Sequence, residues 1–281
     1  MTTQLWRSLL YLPASNARAI EKARKLDCDV AVLDLEDAVA PEMKAEARAA
    51  AVEAVREGGF GPRLGVRING LDTEWGAEDL KALAATDVGL IVAPKVESAD
   101  AVRELNAALP ASAALIAMIE TPAALMRLES IAGAGGALTG LMLGVNDLAA
   151  TLGTGPSPDR EPLKPWLAAT VAAGRMHGLA VLDGVFNRIE DAEGLTAECV
   201  QGRLYGFDGK SLIHPSQIAA ANAAFAPSPA EVAQAEVIVA AFADPASDGK
   251  GAIRVSGAMV ERLHLASAER LLERHRIAGG G

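Results

Sequence analysis

Eight short apolar runs recur along the chain, and nearly every one stops at a charged or chemically useful side chain. They occupy residues 8–13, 30–37, 64–69, 89–95, 114–120, 138–147, 180–185 and 203–210. Runs of this length, separated by helix-sized segments, read as fully buried parallel strands joined by crossover helices. Eight such units predict an α/β fold, a (β/α)8 TIM barrel, whose chemistry sits at the carboxyl ends of the strands. Glu36, Asp37, Arg67, Lys95, Glu120, Asp147 and Lys210 all fall at those ends. The same ladder therefore predicts an active site at the barrel mouth.

The intervening segments carry helical spacing. In 42–58, Met43, Ala47, Ala51, Ala54 and Val55 share one face with charges opposite. Thr121 before Pro122 opens another helix, the hydroxyl suiting the N-cap and the proline the first turn. Further helices are expected at 16–26, 78–85, 98–109, 166–177 and 190–201. The stretch 153–165, with four prolines and two glycines, is a loop on the catalytic face, either a lid or a plain surface connection. Residues 225–229 form a boundary, and Ser228-Pro-Ala-Glu231 has the form of a capping box. Its helix places Val232, Ala235, Ile238 and Phe242 at apolar spacing. A flexible piece at 243–251, a short apolar segment around Ile253 and a last helix over about 260–274 complete the chain. The expected division is a barrel over 1–225 and a helical extension, or lid, over 226–281. The extension is too short to fold alone, so it must pack on its own barrel or on a neighbouring subunit.

Composition narrows the picture. At 281 residues the chain suits one barrel and a modest appendage. A net charge of −10 argues against nucleic-acid or anionic-membrane binding, both of which need basic surface, but leaves room for a small anionic ligand held by a few Arg and Lys side chains. Cys28 and Cys199 lack metal-site spacing and are expected as reduced thiols. No apolar stretch approaches the roughly 18 residues of a membrane span, and no signal-peptide pattern opens the chain. A cytoplasmic location is the expectation.

Glu120 and Asp147 are the sharpest pair. They end consecutive strands, so two carboxylates converge, and like charges that close need a cation. Mg²⁺ suits them, since it takes one or two protein carboxylates and leaves its other positions to water and substrate oxygens; the alternative is a helix cap and a surface ion pair. Arg67 either captures a substrate carboxylate with its planar fork or serves as counter-ion to Glu36 or Asp37. The run Leu33-Asp-Leu-Glu-Asp-Ala puts three acids in four positions, of which at least one should face the mouth as a base or to orient a water. Lys95 and Lys210 are conceivable Schiff-base lysines, but ion pairing with strand-end acids is favoured. His214, before Pro215, reads as a structural buttress. Ser15-Asn16-Ala17-Arg18 is a weak candidate for holding phosphate.

In order, Arg7-Ser-Leu-Leu-Tyr-Leu-Pro, Leu33-Asp-Leu-Glu-Asp-Ala-Val-Ala-Pro followed by Lys44 and Arg48, Val66-Arg-Ile-Asn, Ala93-Pro-Lys-Val-Glu, Ile119-Glu-Thr-Pro, Leu143-Gly-Val-Asn-Asp-Leu-Ala and Gly206-Phe-Asp-Gly-Lys-Ser-Leu-Ile-His-Pro resemble the citrate lyase beta subunit and malyl-CoA lyase family of acyl-CoA lyases. The resemblance implies a Mg²⁺-dependent barrel that cleaves or forms a C–C bond in a 3-hydroxyacyl-CoA such as citramalyl-, malyl- or citryl-CoA, giving acetyl-CoA and a 2-oxo acid. It implies Glu120 and Asp147 as metal ligands, with Glu120 also facing the substrate. It further implies Arg67 on the oxo-acid carboxylate and Glu36 and Asp37 in proton transfer or support of metal waters. Pro13, Ser15, Asn16 and Arg18 would contact coenzyme A, and a homo-oligomer, trimer or hexamer, is implied. Relatives carry a carboxyl-terminal Gly-Lys-Met-Ile-Asp-like segment whose Asp serves a neighbouring subunit's site. Here it is Gly257-Ala-Met-Val-Glu261, so Glu261 stands as the candidate acid and Ala258 replaces the usual lysine. Two rivals to the lyase follow: a thioester hydrolase on the same scaffold, and a beta subunit working only within a citrate lyase complex.

Overall fold

The computed structural model describes residues 4–157 and 159–279. These divide into two compact units, Trp6–Phe225 and a second made of 226–279 with residues 4 and 5.

The first unit is a closed barrel of eight parallel strands in sequential order. Strands and helices alternate as β1 (Ser8–Pro13), α1 (Ala17–Ala23), β2 (Val30–Asp34), α2 (Lys44–Glu57), β3 (Arg63–Arg67), α3 (Gly76–Leu83), β4 (Leu90–Ala93) and α4 (Ala99–Ala108). They continue as β5 (Ala114–Ile119), α5 (Pro122–Leu125), α6 (Leu128–Ala132), β6 (Leu138–Leu143), α7 (Val145–Leu152), α8 (Lys164–Met176), β7 (Ala180–Asp183), α9 (Ala192–Tyr205), β8 (Gly209–Leu212) and α10 (Ile218–Phe225). Thr121 caps α5 by accepting from the Ala124 N–H, as its sequence implies. Several strands are shorter than the apolar runs suggest. Glu36 and Asp37 lie beyond β2, and Asp147 sits in the first turn of α7 rather than at a strand end. Residues 203–205 are the last turn of α9, because Gly206, at φ +98°, ends that helix in the left-handed region that only glycine enters freely. Among the described residues of the 153–165 stretch, Glu161–Leu163 form a 3-10 turn before α8 begins.

Two hydrophobic clusters divide the strand residues by parity. Leu9, Val30, Val32, Leu90, Val92, Ile116, Met118, Met142 and Leu182 fill the barrel interior with Trp6. Alternate residues such as Leu10, Ala31, Leu33, Val66, Ile91, Ala117, Leu141, Val181 and Leu212 pack outward against helix residues including Ala47, Leu80 and Leu195. Strand side chains alternate faces, so the inner parity of β2 runs Val30, Val32, Asp34 and on to Glu36. By the same count Arg67, Glu120 and Ser211 belong to the inside, whereas Asp183 and Lys210 belong to the helix side.

In the second unit, α11 (Pro229–Ala243) opens with the capping box expected of Ser228 and Glu231. A β-hairpin follows, β9 (Ala252–Val255) against β10 (Ala258–Glu261), turned by Ser256 and Gly257 at positive φ. The sequence suggests only an apolar segment and a helix from about residue 260. Val260 and Glu261 are instead strand residues, and α12 runs Arg262–Ile277. Ala235, Val255, Val260 and Ala268 are buried in this unit.

Candidate active site

Arg67 stands at the centre of the mouth, 7% exposed. Parallel pairing of β2 with β3 sets it opposite Asp34. Its fork donates to Asp34 from Nε at 2.6 Å and from Nη2 at 2.5 Å, and the guanidinium carbon lies 4.6 Å from the centre of the Tyr11 ring. Nη1 lies 2.9 Å from Glu36 Oε2 and 3.6 Å from Asp37 Oδ2. Burial opposes the guanidinium charge, but the bonds to Asp34 and the surrounding acids outweigh it, so the arginine is held more firmly protonated than usual. The first counter-ion of Arg67 is therefore Asp34, not Glu36 or Asp37. Asp34 also accepts from the N–H groups of Glu36 and Ala38, at 2.9 and 3.0 Å, which shapes the acidic loop. Asp34 was not singled out by its place in the acidic run; the interior parity of Val30 and Val32 is the signal that finds it.

Glu36 and Glu120 are both buried. Glu36 Oε1 lies 3.4 Å from Lys95 Nζ, an ion pair of the kind expected for that lysine. Glu36 Oε2, although near Arg67, is buried without a hydrogen-bond donor. Glu120 Oε1 accepts from the backbone N–H of Lys95 at 2.7 Å. Lys95 adopts φ +51°, a left-handed conformation strained for a lysine, at the residue whose N–H makes this bond. On its other side Glu120 packs against Gly144, where an added Cβ would sit 2.2 Å from Oε2. Burial, then the charge of Glu36 and, further down, of Asp147, pushes Glu120 up to about 7. Burial likewise pushes Glu36 up to about 7, opposed by the charges of Arg67 and Lys95 and aided by those of Asp37 and Asp34.

Arg67, Asp34 and Glu120 line a cavity of about 350 Å³ together with Tyr11, Pro13, Asp37, Asp147 and Ser211, among others, and Glu36 lies behind that lining against Arg67. Asp147, from the first turn of α7, reaches the same space as Glu120 through the pairing of Ile119 with Leu143. The residues fit a hard divalent cation: Glu120 is a buried carboxylate that feels the like charge of Asp147 across the same cavity. Among the described residues no three His, Cys, Asp or Glu side chains form a ready-made cage. A metal here would rest on two carboxylates and complete its shell with water and substrate, as Mg²⁺ commonly does.

Other candidates fall elsewhere. Lys210 points to the helix side, fully buried, and donates to Glu198 at 2.7 Å and Asp183 at 3.3 Å, with Arg160 2.7 Å from Asp183. It does not belong to the mouth ladder. His214 caps the turn after β8, its Nδ1 accepting from the Ser216 N–H. Asn16 caps α1 by accepting from the Ala19 N–H, and Ser15, Asn16 and Arg18 are exposed. Glu261 belongs to the second unit, where its backbone N–H meets His264 Nδ1 at 2.9 Å. Both cysteines are free and buried; burial pushes Cys28 up to about 12 and Cys199 to about 11, which removes them as nucleophiles. No described helix is long and apolar enough to cross a membrane.

Comparison with known proteins identifies the family. Residues 7–215 match the HpcH/HpaI aldolase/citrate lyase family. A (3S)-malyl-CoA thioesterase of Cereibacter sphaeroides strain KD131 is 46% identical over 268 residues, spanning 95% of this chain and 93% of that protein. The L-malyl-CoA/beta-methylmalyl-CoA lyase of Rhodobacter capsulatus is 35% identical over 98% of this chain and 96% of its own length. The crystal structure of CitE from Mycobacterium tuberculosis, in complex with magnesium, acetoacetate and coenzyme A, superposes with a TM-score of 0.79 at 34% identity, covering 99% of this chain and 100% of that one. With a barrel of eight parallel strands and an acid-lined mouth, the chain belongs to the HpcH/HpaI aldolase/citrate lyase family.

Proposed function

We propose that this chain hydrolyses a short hydroxyacyl-CoA thioester of the malyl type, dependent on Mg²⁺. The observation that carries this is 46% identity along 95% of the chain with a malyl-CoA thioesterase, against 35% with a malyl-CoA lyase. The sequence departs from the lyase pattern in the same sense, with Ala258 and Glu261 where the resemblance leads one to expect Lys and Asp. In this proposal Glu120 and Asp147 hold the metal, which supplies electrophilic polarisation of substrate oxygens when bound. Arg67, with one fork on Asp34, turns its Nη1 edge to the carboxylate of the acyl group. Glu36, with a proton affinity near neutrality, takes a proton from the attacking water, and Asp37 at the cavity lip supports it. Pro13, Ser15, Asn16 and Arg18 receive the coenzyme A moiety. Water adds to the thioester carbonyl and the C–S bond breaks, releasing the hydroxy acid and CoA thiol.

A second reading is C–C cleavage to acetyl-CoA and a 2-oxo acid. It is supported by the full-length similarity to the Rhodobacter capsulatus lyase, and in it Glu261 supplies a proton to the thioester enolate. Product analysis decides: malyl-CoA with Mg²⁺ should yield malate and free CoA thiol, and release of glyoxylate with acetyl-CoA as the main products would overturn hydrolysis. Turnover by the isolated chain would also exclude a subunit active only inside a larger citrate lyase complex. We further propose a cytoplasmic homo-oligomer, a trimer or hexamer, in which residues 226–281 act as a lid packed on a neighbouring subunit; light scattering giving a monomer for the active species would refute this.

A further inference from the structure

Lys44 and Arg48 follow the acidic run in sequence, yet neither has a place in the chemistry above. We propose that Lys44 is a positioning residue: its buried ammonium holds the acidic loop after β2 in the conformation that keeps Glu36 in the mouth. The inference deepens the proposed function and rests on Glu36 belonging to the reacting site.

Lys44 is the first residue of α2 and is 6% exposed. Its Nζ spends all three donors at 2.7 Å each, on the carbonyls of Leu35 and Glu36 and on Asn69 Oδ1. All three acceptors are neutral oxygens. Burying an ammonium without a carboxylate in contact is unfavourable, and burial lowers the proton affinity of Lys44 accordingly. What favours the ammonium is the surrounding charge, that of Asp34, Glu36 and Asp37 of the acidic loop and of Asp79 on α3.

The loop needs such a holder. Burial disfavours the Glu36 carboxylate and leaves one of its oxygens without a hydrogen-bond donor, a bias toward water that the ion pairs with Arg67 and Lys95 only partly offset. Two adjacent carbonyls bonded to one ammonium fix the backbone on either side of Glu36, and Asp34 fixes the N–H groups of Glu36 and Ala38 from within the barrel. The loop is thus gripped from both faces. The grip is anchored in turn. Asn69, just past β3, donates from N and Nδ2 to Asp79 Oδ2 at 2.9 and 2.7 Å. Asp79, fully buried, accepts from Arg48 Nε at 2.6 Å. Residues 44 and 48 are one helical turn apart on α2. One helix face therefore ties the acidic loop to the end of β3 and to α3.

The test compares wild type, Lys44→Met, Lys44→Arg and Asn69→Ala as full chains, in steady-state CoA release from malyl-CoA and in amide hydrogen exchange of residues 35–38. Lys44→Met keeps length and removes every donor. It should lower kcat by ~10–100-fold, the usual effect of losing a residue that orients a reacting group, with KM changed less than about threefold. Exchange at 35–38 should accelerate while the barrel strands keep wild-type protection, and Lys44→Arg, which keeps charge and donors, should recover part of both effects. Wild-type kcat with unchanged exchange overturns the proposal, as does acceleration spread evenly over the barrel. If Lys44→Met fails to fold, Asn69→Ala removes one acceptor of three and should show the same local effects in smaller size; wild-type behaviour there overturns the proposal. A wild-type chain inert toward malyl-CoA and its relatives would sink the proposed function alone, and local exchange would still decide the role of Lys44.

Discussion

Replacing Asp34 by Asn should destabilise the barrel far more than an isosteric change suggests. Asp34 is 1% exposed and meets a buried guanidinium through two charge-assisted bonds, at 2.6 and 2.5 Å. The amide keeps the shape but removes the charge and turns an NH₂ toward donors. Leaving one member of a buried ion pair uncompensated costs about 3–5 kcal/mol. Arg67 retains Glu36 at 2.9 Å, which places Asp34→Asn near the lower end. For a chain of this size each kcal/mol lowers Tm by about 2–4 °C, so ~3 kcal/mol corresponds to about 6–12 °C. Arg67→Met should cost a similar amount, because it strands Asp34 with only two backbone donors. The double variant removes both charges and should be less destabilised than the sum by about 2–3 kcal/mol. Denaturant unfolding of the four proteins in metal-free buffer measures the cycle. Additive effects within about 0.5 kcal/mol would refute the argument that these two residues form one buried unit.

Gly144→Ala should disable the site without unfolding the barrel, since its Cβ would lie 2.5 Å from Glu120 Cβ as well as 2.2 Å from Oε2. Glu120 must swing, so kcat should fall at least about tenfold; undiminished kcat and Mg²⁺ response would contradict the packing. Glu36 and Glu120 are both raised to about 7 from ordinary glutamate values, so the metal-free fold binds their protons more tightly than the unfolded chain. That contribution is complete below the unfolded glutamate pKa of about 4.3 and is lost as pH rises through about 7. Mg²⁺ competes with the proton on Glu120, so the Tm increase it produces should grow from pH 5 to pH 8. A larger increase at pH 5 would show that the metal binds elsewhere, and Glu120→Ala or Asp147→Ala should abolish the increase together with activity. Glu261→Gln should depress C–C cleavage, if any is present, much more than thioester hydrolysis; equal losses in both would point to a role common to the two.

The barrel was legible because fully buried parallel strands must be apolar on both faces, and eight such runs leave one closed arrangement. The inward direction of Glu36, Arg67 and Glu120 was equally within reach, since parity along a strand follows from the pleat. Strand ends were less visible. Apolar content continues from β6 into α7, so Asp147 looked like a strand terminus and proved to be a helix residue. The hairpin of the second unit escaped for a related reason: its turn uses Ser256 and Gly257 at positive φ, while its strands are only four residues each and partly exposed.

What the sequence determined by itself is the order of the barrel's strands and helices, the acids and arginine available at the mouth and the family to which they belong, because periodicity and short motifs are local properties of the chain. Tertiary structure alone decided who meets whom. Asp34 rather than Glu36 or Asp37 takes the fork of Arg67, because the register of β2 against β3 puts those two residues side by side. The strained backbone of Lys95 serves Glu120, and Lys44 serves the acidic loop, through contacts between residues 25 and eight or nine positions apart, respectively. Burial then turned ordinary glutamates into groups with proton affinity near neutrality, a property that depends on what has been excluded around them and on no residue alone.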